Sequence, residues 1–524
     1  MNIIARISTC AGIGHLMRMK WLLHEFTVRH YKLTLILDES SVDVSYLLSG
    51  LTCEQHYVVT NSAHDLELLI SLTASEKPDF IFIDHYELGY EYELALQSFG
   101  GKVVVFDDLA RAHYCDYLFD AKWQGSDTYT RYNTQVPEFT EVHQGPDFAL
   151  LAPDYLKIDG EAVIEREVKH ILLSLGGGGD LRLFAALVSA IPKEFLKKLH
   201  ISVVVGPQAQ YKGQLHAICK NTPELTLLDA PLSLVEYYAS SDLFIGALGT
   251  SLYELAVLKV PSITFSIAEN QHNSLSHLEA FGHFLHLDNI GLLQISKLGE
   301  KLALIVNALP RLVKMREQST LLVDGAGVQR VANILTGIKY QPSVGPLQSY
   351  VHEYQWLSSS ISVRPVFDGD VNDYLAARNK PNNAKRMTVT EPIDRLTHYL
   401  WWFNNNRNSY VVEQNGKVIA YVWHQIYQCD GAEYLYGGWF TDGEEVPFNI
   451  AMLILQWQLD FCGELHPKAY WVAVIHKDNK FVNLLNRYMG FIESPIGSSF
   501  HTVTQNLFPK ADKQFNFVMR YPDE

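Results

Sequence analysis

The segment Gly12-Ile13-Gly14-His15-Leu16-Met17-Arg18 places two glycines, an imidazole and a guanidinium within seven residues. It follows the apolar run Ile3–Ile7, which predicts a β-strand, and leads into Leu16–Phe26, whose apolar residues recur at helical spacing. The glycines therefore fall in a strand-to-helix turn, where backbone can approach a ligand closely. His15 falls in the first helical turn. The helix dipole disfavours imidazolium there, which predicts a neutral ring able to accept a proton. That is the setting of a general base beside an anion. The plain alternative is a histidine that caps the helix or packs in the core. Arg18, three residues on, can share a helix face with His15.

Four further segments carry chemistry-bearing side chains. Asp84-His85-Tyr86 follows the apolar run Phe80–Ile83, and Asp107-Asp108 follows Val103–Phe106, with His113 and Asp116 downstream. Ser174-Leu175-Gly176-Gly177-Gly178-Gly179-Asp180 has four consecutive glycines, whose N–H groups could approach a phosphate or sugar. Gly246-Ala247-Leu248-Gly249-Thr250-Ser251-Leu252-Tyr253-Glu254 reads as a turn opening a helix, a natural diphosphate site, with Glu254 placed for ribose hydroxyls. Glu269-Asn270-Gln271 lies downstream. Taken singly, each has an ordinary explanation in loop, capping or packing chemistry.

These segments need elements to position them. Apolar runs at Ile3–Ile7, Leu33–Leu37, Phe80–Ile83 and Val103–Phe106 alternate with helical patterns. A second series has runs at Ile171–Leu175, Ile201–Val205, Leu225–Leu228, Leu243–Ile245 and Ser262–Phe265. This alternation predicts an α/β chain with two parallel, Rossmann-like sheets, and ligands of such sheets sit beyond the carboxyl ends of strands. The expected organisation is 1–160, 161–337 and a linker over 338–358, followed by a third domain at 359–524. That third domain is aromatic-rich and α+β, with a hairpin of Tyr410–Glu413 and Val418–Trp423 around Asn415-Gly416.

The 524 residues are 48% hydrophobic with a formal net charge of −16. The charge argues against nucleic-acid binding, because phosphates need a positive surface. No apolar run is long enough to span a bilayer, so no membrane association is expected. Six scattered cysteines without a CxxC pair, and no visible secretory signal, predict reduced thiols and a cytoplasmic location. No metal site is expected, since no His/carboxylate cluster has ligand spacing.

As an ordered set, GIGHLMR, IDHY, DDLARAHYCD, SLGGGGD and GTSLYE followed by AENQ resemble the UDP-sugar hydrolases of pseudaminic-acid biosynthesis, a branch of the GT-B class. The resemblance covers about residues 1–335. It implies a GT-B architecture and hydrolysis of UDP-2,4-diacetamido-2,4,6-trideoxy-β-L-altropyranose to UDP and the free sugar, with no cofactor. It implies that His15 is the base that activates water and that Tyr86 lies near the reacting centre. Gly14, Arg18, Gly177, Asp180, Gly249, Thr250, Ser251, Glu254, Asn270 and Gln271 would bind the substrate. Leu248 stands where that family tends to have glycine. A GT-B glycosyltransferase with another acceptor, and a non-enzymatic UDP-sugar-binding protein, are the alternatives. A homo-oligomer is left open.

Residues 361–524 resemble GNAT-type N-acetyltransferases through Val363-Arg364-Pro365 with Asp368, Arg378-Asn379, Trp401-Trp402, the central hairpin, and Asn479 with Arg487-Tyr488-Met489-Gly490-Phe491. The resemblance implies acetyl-CoA as a cofactor and a bifunctional hydrolase and 4-N-acetyltransferase. The residues themselves favour a catalytically silent module. The stretch Thr441–Asn449 lacks the arginine and glycine pair of a pyrophosphate loop and carries Glu444 and Glu445. Asn486 stands where many members have a tyrosine, and Tyr488 is expected to pack.

Overall fold

The structure, a computed structural model, describes residues 1–10, 13–39, 44–61, 63–75, 77–158, 169–267, 274–339, 353–443 and 445–523. Asn270, Gln271 and Glu444 lie outside the described residues, as does Gly12. The chain forms two compact units, Met1–Ser349 and Tyr350–Glu524.

The first unit holds two parallel sheets. Strands β1 (Asn2–Ile7), β2 (Lys32–Asp38), β3 (Cys53–Val58), β4 (Phe80–Asp84), β5 (Lys102–Phe106), β6 (Tyr117–Asp120) and β7 (Glu141–Gln144) lie in the order β3-β2-β1-β4-β5-β6-β7. Ile3 pairs with Leu33 on one side and Phe80 on the other. β1 is buried on both faces, which is why it reads as a near-continuous apolar run rather than an alternation. The order reverses between β1 and β4, and a doubly wound sheet opens a crevice at that switch point. The helix Gly14–Val28 leaves the end of β1, and Asp84 closes β4, so both come to the crevice.

The second sheet repeats the plan. Its strands are β8 (His170–Ser174), β10 (His200–Val205), β12 (Leu225–Asp229), β13 (Leu243–Ala247), β14 (Ser262–Ser266) and β15 (Leu285–Asn289), in the order β12-β10-β8-β13-β14-β15. Its switch point lies between β8 and β13. The glycine-rich segment follows the first of these, and the Gly249-Thr250-Ser251 turn follows the second. Gly246 is required there, since a Cβ would stand 1.9 Å from the Ser174 carbonyl oxygen. The first unit thus holds two parallel, doubly wound, Rossmann-like sheets, as the alternation of runs predicts.

The glycine-rich segment is not an open loop throughout. Gly178–Asp180 forms a short strand, β9, paired in parallel with Gln208–Gln210, β11. Part of the backbone expected to face a ligand is therefore held in a ladder. The loss of side chains serves close packing as much as ligand approach: a Cβ on Gly206 would meet the Gly176 carbonyl oxygen at 2.4 Å.

The helix Gly327–Leu335 packs back into the core of the first sheet. Val328, Val331 and Ala332 are fully buried in the same cluster as Leu16, Met19, Leu23 and Phe26. Asn333 accepts a hydrogen bond from the Arg29 guanidinium at 2.7 Å.

The second unit is α+β, as expected, with one mostly antiparallel sheet. β16 (Gln355–Trp356), β17 (Ile361–Pro365), β18 (Asn408–Gln414), β19 (Lys417–Cys429), β20 (Ala432–Thr441), β21 (Tyr470–His476), β22 (Ile492–Glu493) and β23 (Phe515–Arg520) form one sheet, in the order β16-β17-β18-β19-β20-β21-β23-β22. The β18–β19 hairpin turns at Asn415 (φ 52°) and Gly416 (φ 77°), the left-handed pair that a tight two-residue turn requires. β20 and β21 pair in parallel only from Tyr434 to Tyr436. The helix Phe448–Leu465 buries Ile450, Ala451, Ile454 and Leu459 against the sheet.

Candidate active site

His15 sits in the first turn of the helix Gly14–Val28 and is 6% exposed. Its Nδ1 lies 2.5 Å from Asp84 Oδ1 at the end of β4. Asp84 is fully buried. Burial alone would raise its carboxyl, but Arg18 and His15 outweigh burial and bring it down to about 2. An ionised carboxylate cannot donate, so the Nδ1–H of His15 is the donor. In the neutral ring this leaves the lone pair on Nε2. The Arg18 Nη2 atom, 3.3 Å from the same Nδ1, is then a neighbour rather than a donor to it.

The three-residue spacing of His15 and Arg18 does place them together, on one carboxylate. Arg18 Nε donates to Asp84 Oδ2 at 2.7 Å and its Nη2 donates to Oδ1, so the grip is bidentate. Its third nitrogen reaches Asp108 Oδ2 at 3.3 Å. The guanidinium expected to face substrate is thus engaged by two carboxylates. Tyr86 stands edge-on to the His15 ring, with centroids 4.4 Å apart, and donates its hydroxyl to Asp108 at 2.9 Å. Burial, then the nearby Asp108 charge, pushes the Tyr86 hydroxyl up, so it stays protonated.

The segment after β4 is clamped from β5. Arg111 donates to the carbonyls of Tyr86 (2.6 Å), His85 (3.0 Å) and Leu88 (3.2 Å). Its own Nε is held by Asp107 at 2.9 Å. The Asp107-Asp108 pair therefore divides its work. Asp107, 2% exposed, fixes the scaffold, while Asp108 is partly exposed beside Tyr86 and Arg18.

The second sheet has its own groups at its switch point. Gly249 and Thr250 are exposed at the start of the helix Ser251–Leu258, and no side chain caps that end. The Leu252 and Tyr253 N–H groups donate to the Gly249 and Thr250 carbonyls at 3.1 Å, which leaves the N–H groups of Gly249–Ser251 to suit an anion. Ser251 Oγ is turned back, donating to the Ala247 carbonyl at 3.2 Å. Glu254 accepts from the Tyr155 hydroxyl at 3.0 Å, and burial raises its carboxyl to about 7 despite that bond. Contacts between the halves include the approach of Gly177, where a Cβ would meet the Ile13 side chain at 2.7 Å, and the Tyr253 hydroxyl, which donates to the Ala121 carbonyl at 2.7 Å. Around Gly14, by contrast, an added Cβ would meet nothing within 4 Å among the described residues. Asp180 is paired with Arg182 at 2.6 Å on the surface.

Asp84 and Asp108 were placed at strand ends by the sequence but without their partners, and Arg111 is the site group it gave no role. The available signal for Arg111 was its place in the stretch that follows β5, five residues beyond Phe106. Among the described residues, no group of three His, Cys, Asp or Glu side chains could hold a metal ion, and no helix is long and apolar enough to cross a membrane.

In the second unit, Tyr488 is 68% exposed rather than packed, because it lies on the outer side of the helix Lys480–Tyr488. Asn486 is buried, with its amide donating to the Val482 carbonyl at 2.9 Å. Asp442, in the loop after β20, is ion-paired with Lys380 at 2.5 Å.

No family model matches the sequence. It is 26% identical over 263 residues to the UDP-2,4-diacetamido-2,4,6-trideoxy-β-L-altropyranose hydrolase of Campylobacter jejuni, covering 48% of this chain and 92% of that enzyme. This chain resembles that hydrolase. It is also 24% identical over 338 residues to the spore coat polysaccharide biosynthesis protein SpsG of Bacillus subtilis, covering 63% of this chain and 96% of SpsG. An uncharacterized protein of Methanocaldococcus jannaschii is 23% identical over 467 residues, 85% of this chain and 88% of its own. That match is long enough to take in residues of both units.

Proposed function

We propose that the first unit is a UDP-sugar hydrolase acting on UDP-2,4-diacetamido-2,4,6-trideoxy-β-L-altropyranose or a close 2,4-diacetamido isomer, as in pseudaminic-acid biosynthesis. The observation that carries this reading is the contact between His15 Nδ1 and the buried, ionised Asp84. It holds the ring so that the lone pair is on Nε2, as a general base needs. In the proposed reaction Nε2 takes a proton from water, the water oxygen bonds to the anomeric carbon, and the bond from that carbon to the UDP oxygen breaks. The departing diphosphate meets the Gly249–Ser251 N–H groups, while Glu254 receives the ribose hydroxyls. Tyr86 and Arg18 keep the imidazole in place through Asp108 and Asp84. Similarity to the Campylobacter hydrolase over 92% of that enzyme supports the substrate class.

Turnover of a panel of UDP-diacetamido sugars, without any acceptor, tests the reading. Steady release of free sugar is expected, whereas a glycosyltransferase would release none. In ¹⁸O-water the label is expected in the sugar, and label in UDP would defeat attack at carbon.

For the second unit we propose a silent binding or docking module rather than an acetyltransferase. The Asp442–Lys380 pair occupies the loop where a pyrophosphate would be gripped, and Asn486 offers no phenol to protonate a thiolate. Calorimetry of the full chain with acetyl-CoA is expected to show no binding, and micromolar binding would restore the bifunctional reading.

A further inference from the structure

Behind His15 and Asp84 lies a polar cluster that the proposed chemistry does not use. Arg6 is fully buried, and Asp38, at the end of β2, is 1% exposed. One carboxylate oxygen of Asp38 collects the loop after β1, accepting from Thr9 N at 2.7 Å, Cys10 N at 3.0 Å and Ser8 Oγ at 3.1 Å. The other accepts from Arg6 Nη2 at 2.7 Å, Thr60 Oγ1 at 2.5 Å and His85 Nε2 at 3.0 Å. The direction of the last bond is settled within His85 itself, because its Nδ1 accepts from Glu87 N at 3.0 Å, which leaves the ring hydrogen on Nε2. His85 is 2% exposed and directly follows Asp84.

The Asp38 carboxylate is therefore a junction between two backbone segments. The loop Ser8–Cys10 leads to the helix start that carries His15, and His85 belongs to the strand end that carries Asp84. The His15–Asp84 contact joins the same two segments a few residues further on. We propose that His85 is a positioning residue which, through Asp38, fixes the strand end bearing Asp84 against the loop leading to His15, and so sets the His15 tautomer. This rests on the hydrolase reading for its kinetic consequence, but the tautomer can be read without turnover. Catalytic geometry is sensitive to displacements of about 1 Å, which can lower rates on the order of 10²-fold.

The test compares His85→Leu with His85→Gln, whose amide can still donate to Asp38. In ¹⁵N-labelled full-length protein, His15 is expected to show the Nδ1–H tautomer in the native chain and in His85→Gln. It should show a mixed or reversed tautomer in His85→Leu. In turnover, His85→Leu is expected to lose on the order of 10–10²-fold in kcat with KM and UDP affinity within about twofold, and His85→Gln to recover most of the loss. An unchanged His15 tautomer in a folded His85→Leu, or a loss confined to KM, overturns the positioning role. The hydrolase reading fails separately, by the absence of free-sugar release from the native protein, and that result would leave the tautomer comparison standing.

Discussion

The pairing of His15 with Asp84 makes the imidazole directional, and two substitutions read that direction. Removing the base, His15→Ala should lower kcat on the order of 10²–10⁴-fold while UDP affinity by calorimetry stays near the native value. Asp84→Asn should lower kcat by a similar order with KM little changed, since an amide can present either a donor or an acceptor to Nδ1 and no longer imposes one tautomer. Near-native turnover of either variant would remove that residue from the mechanism. Glu254 carries a pH dependence. An unfolded glutamate titrates near ~4.3, and burial raises the folded one to about 7 against the Tyr155 bond. Between these values the folded state binds more protons. Its contribution to stability is thus full below ~4.3, declines as pH rises, and is lost above about 7. Thermal melts should show Tm falling across that window, and Glu254→Gln should flatten the slope. At this scale the sequence was informative where chemistry was local. His15 and Arg18 are three residues apart on one helix, so their shared face could be read from spacing. Asp84 and Asp38 could not be found that way. Their partners lie up to 69 residues distant, and what makes them potent is burial, which depends on the assembled sheet.

Among the elements, the parallel strands were the most legible, because strands covered on both faces write themselves as apolar runs. β3 and β7 are the edge strands and carry mixed residues such as Glu54, Gln55 and Glu141, and β6 is only the four residues Tyr117–Asp120, so no long apolar run marks them. The four-glycine segment misled in part, since a run of glycines signals close approach without saying whether ligand or backbone comes close. Its approach to the first half at Ile13 gives a test. A Cβ on Gly177 would press on Ile13, two residues before His15, at 2.7 Å. Gly177→Ala should therefore lower kcat more than stability, and adding Ile13→Ala should relieve the contact and recover part of the activity. A double variant no better than the single one would show that the contact is not the cause.

For the whole molecule, the separation at residues 349 and 350 predicts that a chain ending at 349 melts cooperatively on its own, near one of the transitions of the full chain by calorimetry. A chain ending at Ala326 should not. It lacks Val328, Val331, Ile334 and Leu335, each contributing about 1.5–3 kcal/mol when buried, a sum comparable with the stability of a typical domain. A cooperative melt of that shorter chain would contradict the packing described. The partnership of this helix with the first sheet was invisible in the sequence, because amphipathic spacing shows that a face is buried and not which core receives it. Its consequence is one of timing. A polypeptide emerging from the ribosome usually completes its leading domain first, but here the opening sheet waits for its last piece until Leu335 has been made. The intervening sheet, whose strands are contiguous, can assemble while the beginning of the protein is still unfinished.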